Sequence, residues 1–322
     1  MQKTIENISF KGKGAKLFEI YIVNITLTVL TLGIYSFWAK IRTRKFFHQN
    51  TWYLESNFDF HATGKERSAG FLKAALLFGV AYFIILGIEQ IVTPLVGQLH
   101  TDIIKAFAVI FLLVGLSPLI SVGKRRFLLS RTSWRNVRFR FTGKILELSK
   151  INIIGTFLTI ITLGIYSPWY ACKRRKFKIN NSYFGSEPFS YHGDGAQLLK
   201  INLKGLLLTI VTFGIYSYWW KSEKFNYHWG KTQFQGTFIN SNMKGAENFA
   251  ISTVCLLMIV GTLGIASPWA AVLRAELQLQ SLSYPGEPDF LKIQGNVDRE
   301  ASALADGLDQ AGDILESISD IF

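Results

Sequence analysis

The chain has 322 residues, of which 49% are hydrophobic, 14% are aromatic and 18% are charged, and its formal net charge is +13. Average proteins carry about 25% charged residues, so a chain that is poor in charge and still strongly basic is not disordered, acidic or collagen-like. Because only Cys172 and Cys255 are present, a disulfide scaffold and a four-cysteine zinc site are also excluded.

Six segments without a charged residue lie along the chain, and all are rich in Leu, Ile, Val and Phe. They cover residues 20–39, 74–88, 106–123, 151–172, 205–220 and 248–273. A helix that spans a bilayer needs about 20 apolar residues, so four segments are long enough and two are marginal. We therefore predict an all-α integral membrane protein with about six membrane-embedded helical segments and small β-hairpins between them. Its membrane domain covers residues 1–292.

A motif of the form T-L-G-I-Y-S-x-W recurs along this domain. It covers residues 31–38 and returns at 162–169, 212–219 and 262–269, with a degenerate copy at 115–118. The serines at 117, 167, 217 and 267 are 50 residues apart, whereas Ser36 precedes Ser117 by 81. This register predicts internal repeats of about 50 residues, the second of which carries 31 extra residues.

The first three repeats continue from the motif into a basic cluster and then into a polar, aromatic stretch. The basic charge fades to Lys221 and Lys224 in the fourth repeat and to Arg274 in the fifth. In residues 181–191 the aromatic side chains alternate around Gly185 and Pro188, which predicts a small β-hairpin, and residues 137–141 alternate in the same way. Asn24, Asn152 and Asn202 are the polar residues nearest to membrane depth, where hydrogen bonds between helices are the expected role.

Trp followed by Arg or Lys at the end of an apolar segment suits the bilayer–water interface, because Trp lies at headgroup level and the basic side chains reach phosphates. Two interpretations stay open: the motif is a membrane-exit anchor, or it recognises a lipid or a substrate. The predicted headgroup contacts are Trp38, Arg42, Arg44, Lys45, Arg125, Arg126, Trp169, Arg174, Arg175, Lys176, Trp219 and Trp269. Anionic membrane lipids are thus the predicted partners, and nucleic acid is not, because the basic clusters adjoin apolar segments.

Residues 293–322 differ from the rest of the chain because they carry a net charge of −6. Leu304, Leu308, Ala311 and Leu315 follow a helical spacing, which predicts an acidic amphipathic helix. We expect this helix to dock on the chain's own basic loops or on a partner protein.

At the repeated motif and its basic follower, the sequence resembles the YjgN-like family of uncharacterised bacterial inner-membrane proteins. The spacer at residues 181–193 carries the same resemblance, which runs from about residue 10 to 290. It implies a multi-pass protein of the bacterial inner membrane and no assigned activity. The degenerate copy at Ser117 and the loss of the motif tyrosine at Ala266 depart from the pattern, which suggests that the repeats differ in role.

Charge counting leaves two topologies open. Six single spans divide the Lys and Arg residues 20 to 15, although the positive-inside rule expects a stronger asymmetry. If the four intact repeats enter and leave on one face, and only 74–88 and 106–123 cross as a pair, 34 basic residues share one side. Re-entrant backbone must then be covered by protein.

The sequence contains no zinc-protease, Walker or nucleophile-elbow motif, so we predict neither an enzyme nor a cofactor or metal site. A transporter or channel is the first functional class, because internal repeats around a pathway are typical of transporters. A non-catalytic membrane scaffold or lipid-binding protein is the alternative, favoured by the Trp and Arg/Lys borders.

Overall fold

The computed structural model describes residues 6–286, 288, 289 and 293. In this part of the chain, pairs of helices alternate with short strands. The helices are α1 (Gly14–Leu30), α2 (Ser36–Gln49), α3 (Gly64–Val96), α4 (Gln98–Ser130), α5 (Ile145–Ile161), α6 (Ser167–Asn180), α7 (Gly195–Val211), α8 (Ser217–Gly230), α9 (Gly245–Gly261) and α10 (Ser267–Gln280). The strands are β1 (Glu6–Asn7), β2 (Ser9–Phe10), β3 (Thr51–Tyr53), β4 (Ser56–Phe60), β5 (Thr132–Trp134), β6 (Val137–Phe141), β7 (Ser182–Phe184), β8 (Glu187–Tyr191), β9 (Thr232–Phe234), β10 (Thr237–Phe238), β11 (Asn240–Ser241) and β12 (Leu282–Tyr284).

Five consecutive units, each a helix pair followed by strands, make up the described fold. They cover residues 14–60, 64–141, 145–191, 195–241 and 245–284. In four units the first helix has 17 residues and the second has 14. In the second unit both helices have 33 residues, so this pair extends about 24 Å further than the four 17-residue helices.

The strands follow one another around a ring. Strands β2 to β10 form one antiparallel sheet in chain order, and β12 lies between β1 and β11 in a second sheet. Only Ile8 separates β1 from β2 and only Ile239 separates β10 from β11, so continuous backbone joins the two sheets at both places. The Ile8 N–H donates to the Leu282 carbonyl at 3.2 Å, and the Ile239 N–H to the Thr232 carbonyl at 2.9 Å.

The helices form a second ring, which is attached to the ring of strands. Every first helix begins within four residues of a strand, and every second helix ends directly before one, so all helix pairs are attached at the same end. Each helix contacts the next along the chain, and α10 contacts α1. The turns between paired helices therefore lie at the end remote from the strands.

The recurring motif forms these turns. Thr31 Oγ1 donates to the Leu27 carbonyl at 2.7 Å and accepts the N–H of Tyr35 at 2.9 Å, so one side chain ends α1 and caps α2. Leu32 and Gly33 have φ of 50° and 91°, the left-handed conformation that stops a helix and favours glycine. The threonines at 162, 212 and 262 make the same pair of hydrogen bonds.

This turn corrects the helix prediction for four of the apolar segments. Segments 20–39, 151–172, 205–220 and 248–273 each contain the turn, so each forms the end of one helix and the start of the next rather than one helix. Segments 74–88 and 106–123 do lie within single helices, α3 and α4. In the part of the chain that the structure describes, no helix is both long enough and apolar enough to cross a membrane.

Other predictions of local structure are confirmed. Residues 182–184 and 187–191 form the predicted hairpin, and 137–141 form a strand. Asn24 donates to the Ala39 carbonyl at 3.2 Å, and Asn152 accepts the Tyr170 hydroxyl at 3.0 Å, so both bridge paired helices. The acidic helix predicted over 293–322 lies outside the described residues, apart from Ile293.

Candidate membrane-binding face and central basic cavity

Large apolar side chains are exposed on the turns between paired helices. Leu32, Leu163 and Leu263 are 94% exposed, and Phe213, at the same position of the fourth unit, is 97% exposed. All four have φ between 48° and 50°, where a bulky residue is strained. These side chains bury nothing within the protein, yet each would gain about 2 kcal/mol on leaving water for an apolar medium. We call these four residues the tip ring.

The apolar surface continues from the tip ring along the first helices. On α5 it runs from Ile153 through Phe157 to Ile161, eight residue steps or about 12 Å of helix rise, and the turn extends it to Leu163. Together they span about half of the roughly 30 Å hydrocarbon core of a bilayer. The matching exposed residues of the other 17-residue helices are Ile22, Val23, Ile25, Val29 and Leu30; Leu203, Leu206, Leu207, Ile210 and Val211; and Val254, Leu256, Leu257 and Val260. An apolar surface of this extent marks a contact with protein or membrane.

The motif tryptophans pack between neighbouring units. Each indole lies against the glycine that begins the next first helix: Trp38 on Gly64, Trp169 on Gly195, Trp219 on Gly245 and Trp269 on Gly14. A Cβ added to any of these glycines would lie 2.1–2.4 Å from the indole, so glycine is required by the close approach. The indoles are partly buried in this contact. Their contact with lipid headgroups stays a prediction.

Three arginines occupy the same position in the first three units. Arg44, Arg125 and Arg175 are separated by 81 and 50 residues, as the repeat register requires. Each guanidinium carbon lies 5.7–5.8 Å from the ring centroid of an aromatic residue in the unit's last strand. The partners are Phe60, Phe141 and Tyr191. We call Arg44, Arg125 and Arg175 the arginine triad.

Burial lowers the pKa of all three arginines below its ordinary value, because a charged group loses solvation there. Like-charge repulsion lowers the pKa further in two of them: Arg67 acts on Arg44, and Arg175 acts on Arg125. Arg125 Nη2 donates to Ser182 Oγ at 3.1 Å. Within the described residues, however, Arg44 Nη1 and the Nε atoms of Arg125 and Arg175 are buried without a hydrogen-bond partner. Such donors are costly when unpaired and favour an anion.

Arg44 and Arg125, two members of the arginine triad, line a cavity of about 840 Å³ inside the ring of strands. Arg44, Lys124, Arg125 and Lys178 contribute its basic wall, and no Asp or Glu of the described chain lines it. Burial, and then repulsion from Arg174, lowers the pKa of Lys178. Within the described residues, the cavity wall is therefore a concentrated positive region without a carboxylate counter-ion.

Another part of the cavity wall is aromatic. One residue from each strand that follows a second helix contributes to it, again in the 81- and 50-residue register: Tyr53, Trp134, Phe184, Phe234 and Tyr284. Neighbouring ring centroids lie 5.6–6.2 Å apart. This aromatic set was not predicted from the sequence, although an aromatic residue recurs there at a 50-residue step.

The structure thus divides the predicted headgroup residues. Arg44 and Arg125 line the cavity, and the Arg175 guanidinium lies 5.7 Å from the ring of Trp229, a cavity residue. The side chains of Arg42, Lys45 and Lys176 are exposed instead, and those of Arg126 and Arg174 are partly buried.

A small titratable cluster lies beside the triad. The Tyr191 hydroxyl is 2.8 Å from His228 Nδ1 and 3.8 Å from Cys172 Sγ. Burial, with repulsion from Arg175, lowers the pKa of His228 to about 4, and burial raises the pKa of the Cys172 thiol. The imidazole is therefore uncharged and the thiol protonated near neutral pH. Among the described residues, no group of three or more His, Cys, Asp or Glu is placed to hold a metal ion.

Comparison with known proteins identifies the class. Residues 6–192 and 186–240 match the family described as "Bacterial protein of unknown function (DUF898)", which is most of the chain, and the chain belongs to this family. It is similar to Inner membrane protein YjgN of Salmonella typhimurium (strain LT2), with 32% identity over 132 residues, and to Inner membrane protein YjgN of Escherichia coli (strain K12), with 33% identity. The predicted resemblance to a YjgN-like family is confirmed.

These matches are partial. Each covers 41% of this chain and 30% of the relative, so the aligned part spans less than a third of the relatives' own length. No solved structure matches the chain.

Proposed function

We propose that the chain is a non-catalytic, lipid-binding protein of the bacterial inner membrane, whose tip ring lies within the hydrocarbon of one leaflet. The observation that carries the proposal is the nearly complete exposure of Leu32, Leu163, Phe213 and Leu263 on one end of the ring. The names of the relatives, which are inner membrane proteins, support the location.

In this arrangement, the units enter and leave the membrane on the same side. Exposed apolar surface about 15 Å deep matches one leaflet, and the second helices carry the basic clusters back toward the strands. The basic residues then lie level with the phosphates or beyond them, which favours the cytoplasmic leaflet because anionic lipids attract them there. The multi-pass arrangement expected from the sequence stays a prediction, as does the role of transporter or channel.

Depth-dependent fluorescence quenching tests the proposal. In a background of Cys172→Ser and Cys255→Ser, an environment-sensitive probe is attached at Leu163→Cys or Phe213→Cys, with exposed Arg138→Cys on the strand ring as the matched control. The protein is reconstituted into vesicles of phosphatidylethanolamine and phosphatidylglycerol that contain lipids with a nitroxide deep in the acyl chain. We expect a blue shift and strong quenching at the tips and neither at the control.

Quenching at residue 138 equal to that at residues 163 and 213, or no quenching at the tips, would overturn the proposed insertion. The same vesicles, loaded with anionic or cationic tracers, test the transporter class. Tracer flux that depends on the protein would favour transport over simple lipid binding.

A further inference from the structure

We infer that the central cavity and a side groove between α1 and α2 form one binding site for an anionic amphiphile, whose phosphate lies at Arg44 and Arg125. The inference rests on the proposed function and deepens it, because it assigns a ligand class and a route of entry. It separates a specific site inside the ring from the general attraction of basic surfaces to anionic lipid.

The groove is a second cavity, of about 690 Å³, that meets the first. It is lined by Ile25 and Val29, which belong to the exposed apolar surface, and by Asn24 and Ala39 deeper between the helices. Both cavities are lined by the same three residues at one point, Arg44, Phe47 and His48. The two cavities therefore adjoin at these three residues, between the apolar outer surface and the arginine wall.

Packing explains why the groove lies in the first unit. In the third and fourth units the matching positions hold Gly155 with Tyr170 and Gly205 with Trp220, and each aromatic ring fills the space above its glycine. In the first unit the pair is Asn24 and Ala39, so the second helix offers only a methyl group. The space that an aromatic ring fills in the third and fourth units stays open here. In the fifth unit the pair is Cys255 and Ala270, which close the position by direct contact, with Cys255 Sγ donating to the Ala270 carbonyl at 3.5 Å.

Asn24 gives independent evidence that the groove holds a polar ligand atom. Its side chain is 5% exposed, and its Nδ2 donates to the Ala39 carbonyl at 3.2 Å. Its Oδ1, however, has no hydrogen-bond partner among the described residues. A buried carbonyl oxygen without a donor costs free energy, so a ligand hydroxyl or amide in the groove would satisfy it.

The chemistry of the walls selects the ligand. Arginine forms paired hydrogen bonds with phosphate oxygens. Among the described residues, Arg44 and Arg125 carry buried, unpaired donors beside a cavity that no carboxylate lines. A free phosphate would satisfy these donors but would leave the aromatic wall and the apolar groove uncovered. An amphiphile covers both, with its chain along Ile25 and Val29.

The test compares three probes on the purified full chain in neutral detergent: dihexanoyl phosphatidylglycerol, dihexanoyl phosphatidylcholine and inorganic phosphate, each titrated calorimetrically. We expect the anionic lipid to bind tightest. Arg44→Gln and Arg125→Gln should each weaken its binding at least tenfold, because a charged hydrogen bond is lost. The controls Arg138→Gln and Lys200→Gln remove the same charge from exposed positions outside the predicted headgroup contacts and should change binding less than twofold.

A groove variant keeps the inference falsifiable if the arginine variants unfold. Asn24→Gly with Ala39→Trp copies the pair of the fourth unit and fills the groove. It should weaken phosphatidylglycerol binding at least tenfold and leave phosphate binding unchanged. Equal losses in the exposed controls, or full binding by the groove variant, would overturn the inference, and phosphate binding as tightly as the lipid would assign a free anion instead. Because no bilayer is present, these outcomes are independent of the quenching test for tip insertion.

Discussion

A contact between tryptophan and glycine forms at four of the five unit boundaries, and the remaining boundary supplies a natural control for a prediction. In the second unit the motif tryptophan is replaced by Leu119, and the glycine that would receive it is replaced by Ile145. Both sides of the contact thus change together. We predict that Gly245→Ile and Trp219→Leu each destabilise the fourth boundary, and that the double variant, which copies the second boundary, recovers much of the loss.

The magnitude follows from the geometry at Gly245. A Cβ there would lie 2.1 Å from Trp219 Cδ1, so the indole must move by about 1.3 Å to reach an ordinary contact of 3.4 Å. Overpacking of this kind costs about 1–3 kcal/mol in the free energy of unfolding. Removing the partly buried indole alone loses packing and costs about 2–3 kcal/mol. Combined, the two changes should be less destabilising than their sum by about 1–2 kcal/mol.

The assay is a double-mutant cycle, with the free energy of unfolding measured by denaturant titration in detergent. Phe238→Leu, a substitution at an exposed strand residue, serves as the control for a change remote from the boundary. Strict additivity of the two single variants would refute the argument, since it would mean that Trp219 and Gly245 do not share a contact that determines each other's size.

Three further predictions concern the tips, the turn and pH. Phe213→Asp should lower retention on anionic vesicles in a flotation assay, while Phe238→Asp leaves it unchanged, and equal loss would contradict a tip-specific role. Gly164→Ala should cost about 1 kcal/mol or more of unfolding free energy in a denaturant titration, because its φ is 92°. The pKa of His228 is about 4 when folded and about 6.5 when unfolded, so the unfolded state takes up the proton first. Stability should therefore fall as the pH drops from about 6.5 to about 4, by about 1–2 kcal/mol after allowance for partial exposure. His228→Gln should flatten this pH profile, whereas His192→Gln should not.

The local structure was largely predictable, because short-range patterns determine it. The hairpin around Gly185 and the interhelical roles of Asn24 and Asn152 followed from alternation and from polarity. The prediction of one helix per apolar segment was wrong for four segments, because counting uncharged residues does not detect two consecutive left-handed residues such as Leu32 and Gly33.

The cavity was not predictable from the sequence, because it depends on contacts between distant residues. The basic clusters were evident, but only the helix faces decide that Arg44 and Arg125 point inward while Arg42 and Lys176 are exposed. The pairing of β1 with β12 joins residues nearly 280 positions apart, and no local pattern indicates it. The sequence did carry one signal for the basic wall of the cavity: Arg44, Arg125 and Arg175 occupy the same position in three successive repeats.

The contact of Trp269 with Gly14 has a consequence for how the fold can come apart. In an open row of repeats, the terminal units have one neighbour each and fray first, and units can be gained or lost without disturbing the others. Here every unit has two neighbours, so there is no weakest end from which unravelling can start. Removing one unit would leave a gap that the remaining four must rebend to close. In the described part of the chain, closure of the ring thereby fixes the number of units at five, as closure fixes the subunit count of a cyclic oligomer.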